Sequence, residues 1–558
     1  MSKNVLQRCS QFIIFATLLC LPMFALSAER PDAGTTIGSL REQKLSSAEK
    51  SALGIEVDSK QQNPAPAPSE SKIMVNGIRI TGQNIYSEDK LLPLVNDAVG
   101  KPLTLGELEI LARQISTYFH DHGYFLAKAL IPVQDVKDGV VEITVVVGRY
   151  GRIDIRNQSA LSQGTINGLL SPLKGGDYIR RAPLERALLL LSDVSGVSLK
   201  TTIAPGKEPG TSNLILEISD TARFTSQLYA DNWGNRFTGA IRSGMNVNIN
   251  NPGALGDVLK IGGIYAGSGL NDLDLAYTLP VGPQGARIGV GYSCVNYLLG
   301  KDYADLDASG QAKVTTIYES YPLIRSRDFN LYGRIGYDSK KLEDRIDYVG
   351  SNSNKKAGVL SIGLSGDNRD SFGNGVTGFS LTFASGKLTM NSADAQTNDT
   401  EAQTAGNYNK TTINLLRQKY MNKRLNYSFS FTGQLASKNL DSSEKIFLGG
   451  ASGVRAYPQG EAAGDEGYLV SGELHWNLPT PQFQLVAFLD NGRVILNKNP
   501  WDASVNKRIL TGAGLGLIFS RPNDYTLCFD YAWKLTSDSA VSDTDESGRF
   551  WVRGIKYF

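Results

Sequence analysis

The chain has 558 residues and a formal net charge of +2, with 57 Lys and Arg against 55 Asp and Glu. This near-balance of charge argues neither for a nucleic-acid partner nor for an acidic ligand. Hydrophobic residues make up 41%, as in many soluble proteins, and after the N-terminal segment no stretch is apolar for the roughly 20 residues that a membrane-spanning helix needs.

Residues 1–28 are typical of a secretory signal peptide. Lys3 and Arg8 precede an apolar stretch at 12–26, which ends in the small residues Ser27 and Ala28. About fifteen apolar residues are too few for a membrane anchor. Removal of this segment would leave two cysteines, too few for a disulfide framework. The sequence therefore predicts an exported protein.

Two segments without a strand pattern come next. Residues 29–57 carry a weak helical pattern, and residues 58–72 contain three prolines, which exclude a helix and predict an extended linker. The apolar positions with near-helical spacing are Leu40, Leu45, Ala48 and Ala52, and the prolines are Pro64, Pro66 and Pro68.

Residues 73–148 and 149–220 repeat one small unit, with the order strand, helix, helix, strand, strand. In the first copy we expect strands at 73–80, 125–132 and 140–147 and helices at 87–95 and 104–120. In the second copy we expect strands at 151–155, 197–203 and 213–218 and helices at 161–170 and 183–191. Each copy has about 75 residues, enough to bury a small core.

Residues 221–558 contain segments in which apolar and polar residues alternate. Leu425, Tyr427 and Phe429 share one parity, for example, and Asn426 and Ser428 the other. Sixteen such segments are expected, centred near Leu228, Asn246, Ile261, Leu275, Val290, Thr315, Ile335, Ile362, Leu381, Ile413, Phe429, Leu474, Val486, Leu515, Phe529 and Ile555. An even strand number and alternating short and long connections are typical of a bacterial outer-membrane barrel, whose short turns face the periplasm.

Two motifs in this region resemble the signatures of a known protein family. The run from Leu448 to Tyr457 contains Val454, Arg455, Ala456 and Tyr457, and is similar to the signature that two-partner secretion transporters (TpsB) carry in their sixth outer loop. A second signature resembles Phe488, Asp490 and Gly492 on the thirteenth strand. This chain departs from the family at Ala456, where glycine is usual, and alanine does not easily take positive φ.

The resemblance implies a mainly β fold: a sixteen-stranded transmembrane barrel at 221–558, two periplasmic POTRA domains at 73–148 and 149–220, and a plug helix within 29–57. It implies that Arg455 folds into the lumen and pairs with Asp490, which the strand parity turns inward. Phe558 would be the barrel assembly signal. The segment from Asp231 to Asn235 resembles the start of the family's barrels, although a plain turn fits it equally well.

The same resemblance implies a function in the outer membrane of a Gram-negative bacterium. The protein would export a large TpsA-type partner, which docks on a POTRA strand edge, with 125–131 and 197–203 as candidates by fold analogy. Outer-membrane lipid and the barrel assembly machinery would be its other partners, with no nucleic acid. We find no phosphate-binding loop, no metal-ligand spacing and no nucleophile-base pattern, so we expect no enzyme and no cofactor.

Three other functional interpretations compete with a two-partner secretion transporter. A BamA-like or TamA-like assembly factor belongs to the same superfamily, but such proteins more often have three or more POTRA units. A small-solute porin lacks both the repeats and the arginine loop. A structural or adhesive barrel would transport nothing.

Overall fold

The computed structural model describes residues 30–42, 55–57, 71–370 and 374–558. The predicted signal segment lies outside this range. The first element is helix α1, Ala33–Glu42, and the second is a short strand, β1, Ile55–Val57. Within the described residues no helix combines the length and the apolar character needed to cross a membrane.

Helix α1 starts where Asp32 caps it, because the Asp32 carboxylate accepts the backbone N–H of Thr35 at 2.7 Å. The helix buries Ala33, Ile37 and Leu40 inside the barrel. The predicted helical positions beyond residue 42 lie outside the described residues. The plug segment expected at 29–57 was too long, because Ile55–Val57 is a strand that pairs in parallel with the second repeat.

The first repeat packs helices against a three-stranded sheet of order β3-β6-β5, beside a short ladder of β2 and β4. Thr104 and Glu107 form a capping box at the start of its long helix, so this helix begins where the sequence predicted. The single strand expected at 73–80 is two strands. The elements are β2 Lys72–Val75, β3 Gly77–Thr81, α2 Glu88–Leu91, β4 Lys101–Thr104, α3 Leu105–Asp121, β5 Lys128–Leu130 and β6 Val140–Val146.

The second repeat has a sheet of order β1-β8-β9-β7, in which the extra strand β1 covers one edge. Its core is larger and contains a run of leucines on the second helix. The elements are β7 Arg149–Asn157, α4 Gln163–Leu170, α5 Arg181–Ser192, β8 Val197–Pro205 and β9 Thr211–Asp220.

Sixteen strands form one closed barrel, β10 to β20 and β23 to β27, and β27 pairs with β10 to complete the circle. The predicted strand number is confirmed, and each predicted centre falls inside a strand. The strands are β10 Phe224–Asp231, β11 Arg242–Asn250, β12 Val258–Tyr265, β13 Leu270–Val281, β14 Ala286–Leu298, β15 Ala308–Arg325, β16 Phe329–Ile346, β17 Ser351–Arg369, β18 Gly375–Met390, β19 Gly406–Tyr420, β20 Leu425–Ala436, β23 Glu466–Asn477, β24 Phe483–Ile495, β25 Lys507–Arg521, β26 Tyr525–Lys534 and β27 Gly548–Tyr557.

Two elements lie in the outer connections rather than in the wall. A hairpin of β21, Ile446–Phe447, and β22, Ala463–Gly464, belongs to the connection at 437–465, and helix α6, Ala393–Ala402, follows β18. The outward faces of the strands carry apolar side chains such as Leu360, Ile362 and Leu364, which are exposed in the isolated chain. Because closed pairing satisfies the backbone, these faces can meet lipid.

Both strand edges that the sequence suggested for docking are covered in part. On the edge of β8, the residues at 201–203 pair with β1. The edge of β5, within 125–131, is covered by α3, because Ser116 Oγ accepts the N–H of Ala129 at 2.8 Å and His120 Nε2 donates to the Ala127 carbonyl at 2.7 Å. Strand patterns cannot show such cover, since it comes from residues far along the chain or on another element.

Candidate functional site in the barrel lumen

The connection at 437–465 folds back into the barrel. Leu448, Val454 and Tyr457 are inaccessible to solvent and share a core with side chains of β24, β25 and β26. Ala456 is also buried, and it avoids positive φ, so the departure from the family glycine costs no backbone strain. A Cβ on Gly512 would lie 2.5 Å from the Ala456 Cβ, so this glycine of β25 makes the room for the loop tip.

Arg455 forms a two-pronged ion pair with Asp490 on β24. Its Nε and Nη2 atoms donate to the two carboxylate oxygens, each at 2.8 Å, and its backbone N–H donates to Oδ2 at 3.2 Å. Asp490 is inaccessible to solvent and also accepts the hydroxyl of Ser471 at 2.7 Å. A buried carboxylate and guanidinium are tolerated because each neutralises the other and nearly all their hydrogen-bonding capacity is used.

Further groups complete the environment of Arg455. Nη1 lies 2.8 Å from a carboxylate oxygen of Glu473 and 3.9 Å from one of Asp530. The centroid of the Phe488 ring lies 3.4 Å from the Arg455 guanidinium carbon, which is a cation–π contact. Trp551 of β27 donates its indole N–H to the Arg455 carbonyl at 2.7 Å. The loop tip therefore contacts four strands of the wall, β23, β24, β26 and β27.

The other predicted site residues lie around this pair. Gly492 leaves space for the loop, because a Cβ there would lie 2.8 Å from Leu448 Cδ2. The Tyr457 hydroxyl is 2.7 Å from Thr536 Oγ1 and donates to the Asp538 carbonyl at 3.2 Å. Phe558 lies elsewhere: it follows β27 on the outward face, and its backbone exchanges two hydrogen bonds with Ser226.

Sequence reasoning missed a second buried ion pair in the same loop. The Glu461 carboxylate forms an ion pair with Arg508 of β25. It also accepts hydrogen bonds from the backbone N–H groups of Val541 and Ser542, at 3.0 and 3.1 Å. These bonds tie the loop to the last outer connection, at 535–547. A charged residue inside a loop that already carries Arg455 was the available signal, but its partner could not be identified without the barrel register.

Helix α1 occupies the lumen beside this loop. Its N-terminal backbone N–H at Ala33 donates to Asp344 of β16 at 2.8 Å, and near its other end Arg41 pairs with Asp338 at 3.1 Å. Asp32 accepts the hydroxyl of Ser442, which belongs to the loop, at 2.7 Å. The helix therefore touches both the wall and the loop that carries Arg455.

Two glycines let the helix approach the loop closely. A Cβ on Gly34 would lie 2.1 Å from Ser442 Oγ and 2.6 Å from the Ser443 backbone nitrogen, and one on Gly38 would lie 2.8 Å from the Phe447 ring. The loop segment in this contact is held by lysines of the wall. Lys355 pairs with Asp441 at 2.7 Å, and Lys410 and Lys340 pair with Glu444.

The segment from Asp231 to Asn235 is part of this network and not a free turn. Asp231 is buried at the end of β10 and pairs with Arg242 at 2.9 Å. Asn235 donates to the carbonyl of Gln459 in the loop at 3.1 Å. The connection that follows the first barrel strand therefore contacts the loop that carries Arg455.

The second repeat is fixed to the barrel by charge. Asp193 follows α5, and both of its carboxylate oxygens accept hydrogen bonds from the Arg325 guanidinium, each at 2.7 Å. Its backbone carbonyl accepts a hydrogen bond from the Arg287 side chain at 2.6 Å. Arg186 adds a bond to the carbonyl of Pro322 at 2.8 Å. The repeat therefore lies directly at the end of the barrel that has the short turns.

A sixteen-stranded barrel that is preceded by two such repeats and filled by a loop and a helix defines an outer-membrane protein transporter. The chain belongs to the family described as haemolysin secretion/activation protein ShlB/FhaC/HecB, which matches residues 210–519, and residues 73–148 match the ShlB-type POTRA domain. These are two-partner secretion transporters, so the barrel lies in the outer membrane and the POTRA domains lie in the periplasm.

Individual proteins are similar to this chain along most of its length, and the solved structures among them share its fold. The chain is 29% identical over 541 residues to the heme/hemopexin transporter protein HuxB of Haemophilus influenzae, which covers 95% of either chain. Its fold matches CdiB from Escherichia coli with a TM-score of 0.73 and 20% identity, over 96% of this chain and 100% of that one. BamA from Haemophilus ducreyi lacking POTRA domains 1–3 matches with a TM-score of 0.52 and 16% identity, over 87% of this chain and 100% of that one.

Proposed function

We propose that the protein recognises one large exported partner in an unfolded state and passes it through the barrel lumen to the cell surface, without ATP. The observation that carries this proposal is the filling of the lumen. Helix α1 and the loop at 437–465 close it through side-chain contacts, not through the backbone ladder of the wall, so both can leave while the barrel stays intact. HuxB is named for heme and hemopexin, so a partner that handles either is the first to test.

The partner would dock on the second POTRA domain by taking the place of β1. Strand addition supplies affinity through backbone bonds and selectivity through side-chain pockets. Among the described residues, β1 pairs with β8 at three positions, in the register Ile55 with Thr201, Glu56 with Thr202 and Val57 with Ile203. A longer partner strand could form more bonds along the same edge. The edge of β5 is the weaker candidate, because Ser116 and His120 already use its backbone groups.

Displacement of β1 would also affect helix α1 in the barrel lumen. Strand β1 and helix α1 belong to one stretch of chain, with residues 43–54 between them. A partner that removes β1 from the sheet frees the segment that follows the plug helix. Docking in the periplasm would thereby favour departure of the helix from the barrel.

A disulfide between β1 and β8 tests this step. Glu56→Cys and Thr202→Cys place cysteines at register partners on neighbouring strands, which lie about 4.8 Å apart and within reach of a disulfide. We expect the oxidised variant to lose partner binding and export, and reduction to restore both. The assay is secretion of the exported partner, and the controls are the two single-cysteine variants. Full export by the oxidised variant would rule out docking at β8.

Deletion of residues 73–220 separates the competing functions. A secretion transporter should lose export of its partner while its barrel is still inserted. A porin would still conduct small solutes, and an adhesive barrel would still bind its target. An assembly factor would show a general loss of other outer-membrane barrels, with no specific effect on one exported protein.

A further inference from the structure

Lysines form an uninterrupted row across three neighbouring strands on the outside of the barrel. Lys313 of β15 is the register partner of Lys341 of β16, which is in turn the partner of Lys356 of β17. Directly paired side chains on neighbouring antiparallel strands lie about 5 Å apart. Lys341 and Lys356 are exposed, and Lys313 is partly exposed.

These lysines lie at one level relative to the apolar band of the barrel, and a fourth strand continues the pattern. On each strand the lysine is four residues further toward the outside than the last exposed apolar or aromatic side chain, so both share the lipid-facing parity. The pairs are Ile317 with Lys313, Tyr337 with Lys341, Leu360 with Lys356, and Phe383 with Lys387.

The pattern stops at both sides. On β14 the register partner of Lys313 is Cys294, and the residues further out on the same face, Asn296 and Leu298, are uncharged. On β19, counting four residues outward from Ile413 gives Asn409. The basic surface is therefore confined to four consecutive strands, and we call Lys313, Lys341, Lys356 and Lys387 the lysine patch.

No carboxylate of the described chain neutralises the patch. None of the four lysines forms an ion pair with a residue that the structure describes, and the nearest outward acid on β16, Glu343, is paired with Arg345. Like charges directly opposite one another destabilise a sheet. Three lysines in register therefore carry a cost that an external anion would offset.

We propose that the lysine patch binds the phosphate groups of lipopolysaccharide in the outer leaflet. The ammonium groups sit just beyond the hydrocarbon band, at the depth of the lipid headgroups, and each lysine stem can lie along the apolar surface while its charge reaches outward. Ammonium–phosphate contacts are charge-assisted hydrogen bonds, and clusters of lysine beside a membrane are the pattern that recognises anionic headgroups. This inference is independent of which partner the protein exports.

The binding test uses the full-length protein in zwitterionic detergent, with purified lipopolysaccharide measured by native mass spectrometry. We expect the wild type to bind it and to bind dephosphorylated lipopolysaccharide weakly. Changing all four lysines to glutamine should abolish binding, whereas changing all four to arginine should preserve it. Lys341→Gln alone should lower the affinity about fivefold, which keeps the proposal testable if the fourfold variant does not insert.

The matched control is Lys507→Gln, because Lys507 is a single outward lysine at the outer end of β25. It should bind lipopolysaccharide as the wild type does. Wild-type binding by the fourfold glutamine variant would overturn the proposal, as would equal binding of the dephosphorylated lipid. Complete displacement by inorganic phosphate at low millimolar concentration would show a site for soluble anions and would also overturn it.

Discussion

Export should fall sharply when Arg455 is replaced by alanine, while insertion of the barrel into the outer membrane changes little. The substitution leaves Asp490 buried without its main partner, and breaking such a pair costs about 3–5 kcal/mol. The loop tip then loses its two-pronged bond and its contact with Phe488. Asp490→Ala should also lower export, because it leaves the Arg455 guanidinium buried without its main carboxylate partner. Secretion of the partner and the heat-modifiable mobility of the folded barrel are the two measurements.

Arg493→Ala is the matched control for this experiment. Arg493 lies three residues from Asp490 on the same strand, but it is exposed on the outward face. Its loss should leave both export and insertion near the wild-type level. Unchanged export in both Arg455→Ala and Asp490→Ala would refute a role for the pair in secretion and leave it as a structural bond only.

The second large effect is expected from Gly34→Leu in helix α1. Leucine is a better helix former than glycine by up to about 1 kcal/mol, so the helix itself should not be weakened. The side chain cannot fit, however, because even a Cβ would lie 2.1 Å from Ser442 Oγ. Helix α1 should therefore leave its position in the barrel lumen more often. We expect a clearly larger mean conductance in planar bilayers, close to that of a variant that lacks residues 29–52.

Ser39→Ala provides the control on the same helix. The Ser39 hydroxyl donates to the Thr36 carbonyl within the helix, at 3.1 Å, so its removal should not unseat the plug. Its conductance should match the wild type. A pore that conducts equally in the wild type, in Gly34→Leu and in the deletion would mean that helix α1 does not limit the channel.

The sequence was sufficient for the barrel because alternation is a local property. A strand such as Leu425–Ala436 shows its two faces within a few residues, and the same parity places Leu489 outside and Asp490 inside. The contact between Arg455 and Asp490 was expected only through the resemblance to a family. Nothing in the spacing of two residues 35 positions apart shows that they meet.

Long-range contacts explain what the sequence left open. Strand β1 follows residues with a helical pattern, and only the free edge of β8 makes it a strand. Barrel closure determines two further contacts. One is the ion pair of Glu461 with Arg508, and the other is the close approach of Gly34 to the loop at 437–465. The sequence pattern does not place the start of helix α1 at Asp32, which caps it.

The most direct test of the central claim, that the lumen must be cleared for export, is a covalent bond between the plug and the loop. Asp32 and Ser442 are in side-chain contact, at 2.7 Å between Oδ2 and Oγ, so Asp32→Cys with Ser442→Cys should form a disulfide in the closed state. Export of the partner is then measured under oxidising and reducing conditions. We expect export to stop when the bond forms and to resume when it is reduced. Undiminished export through the oxidised protein would contradict it.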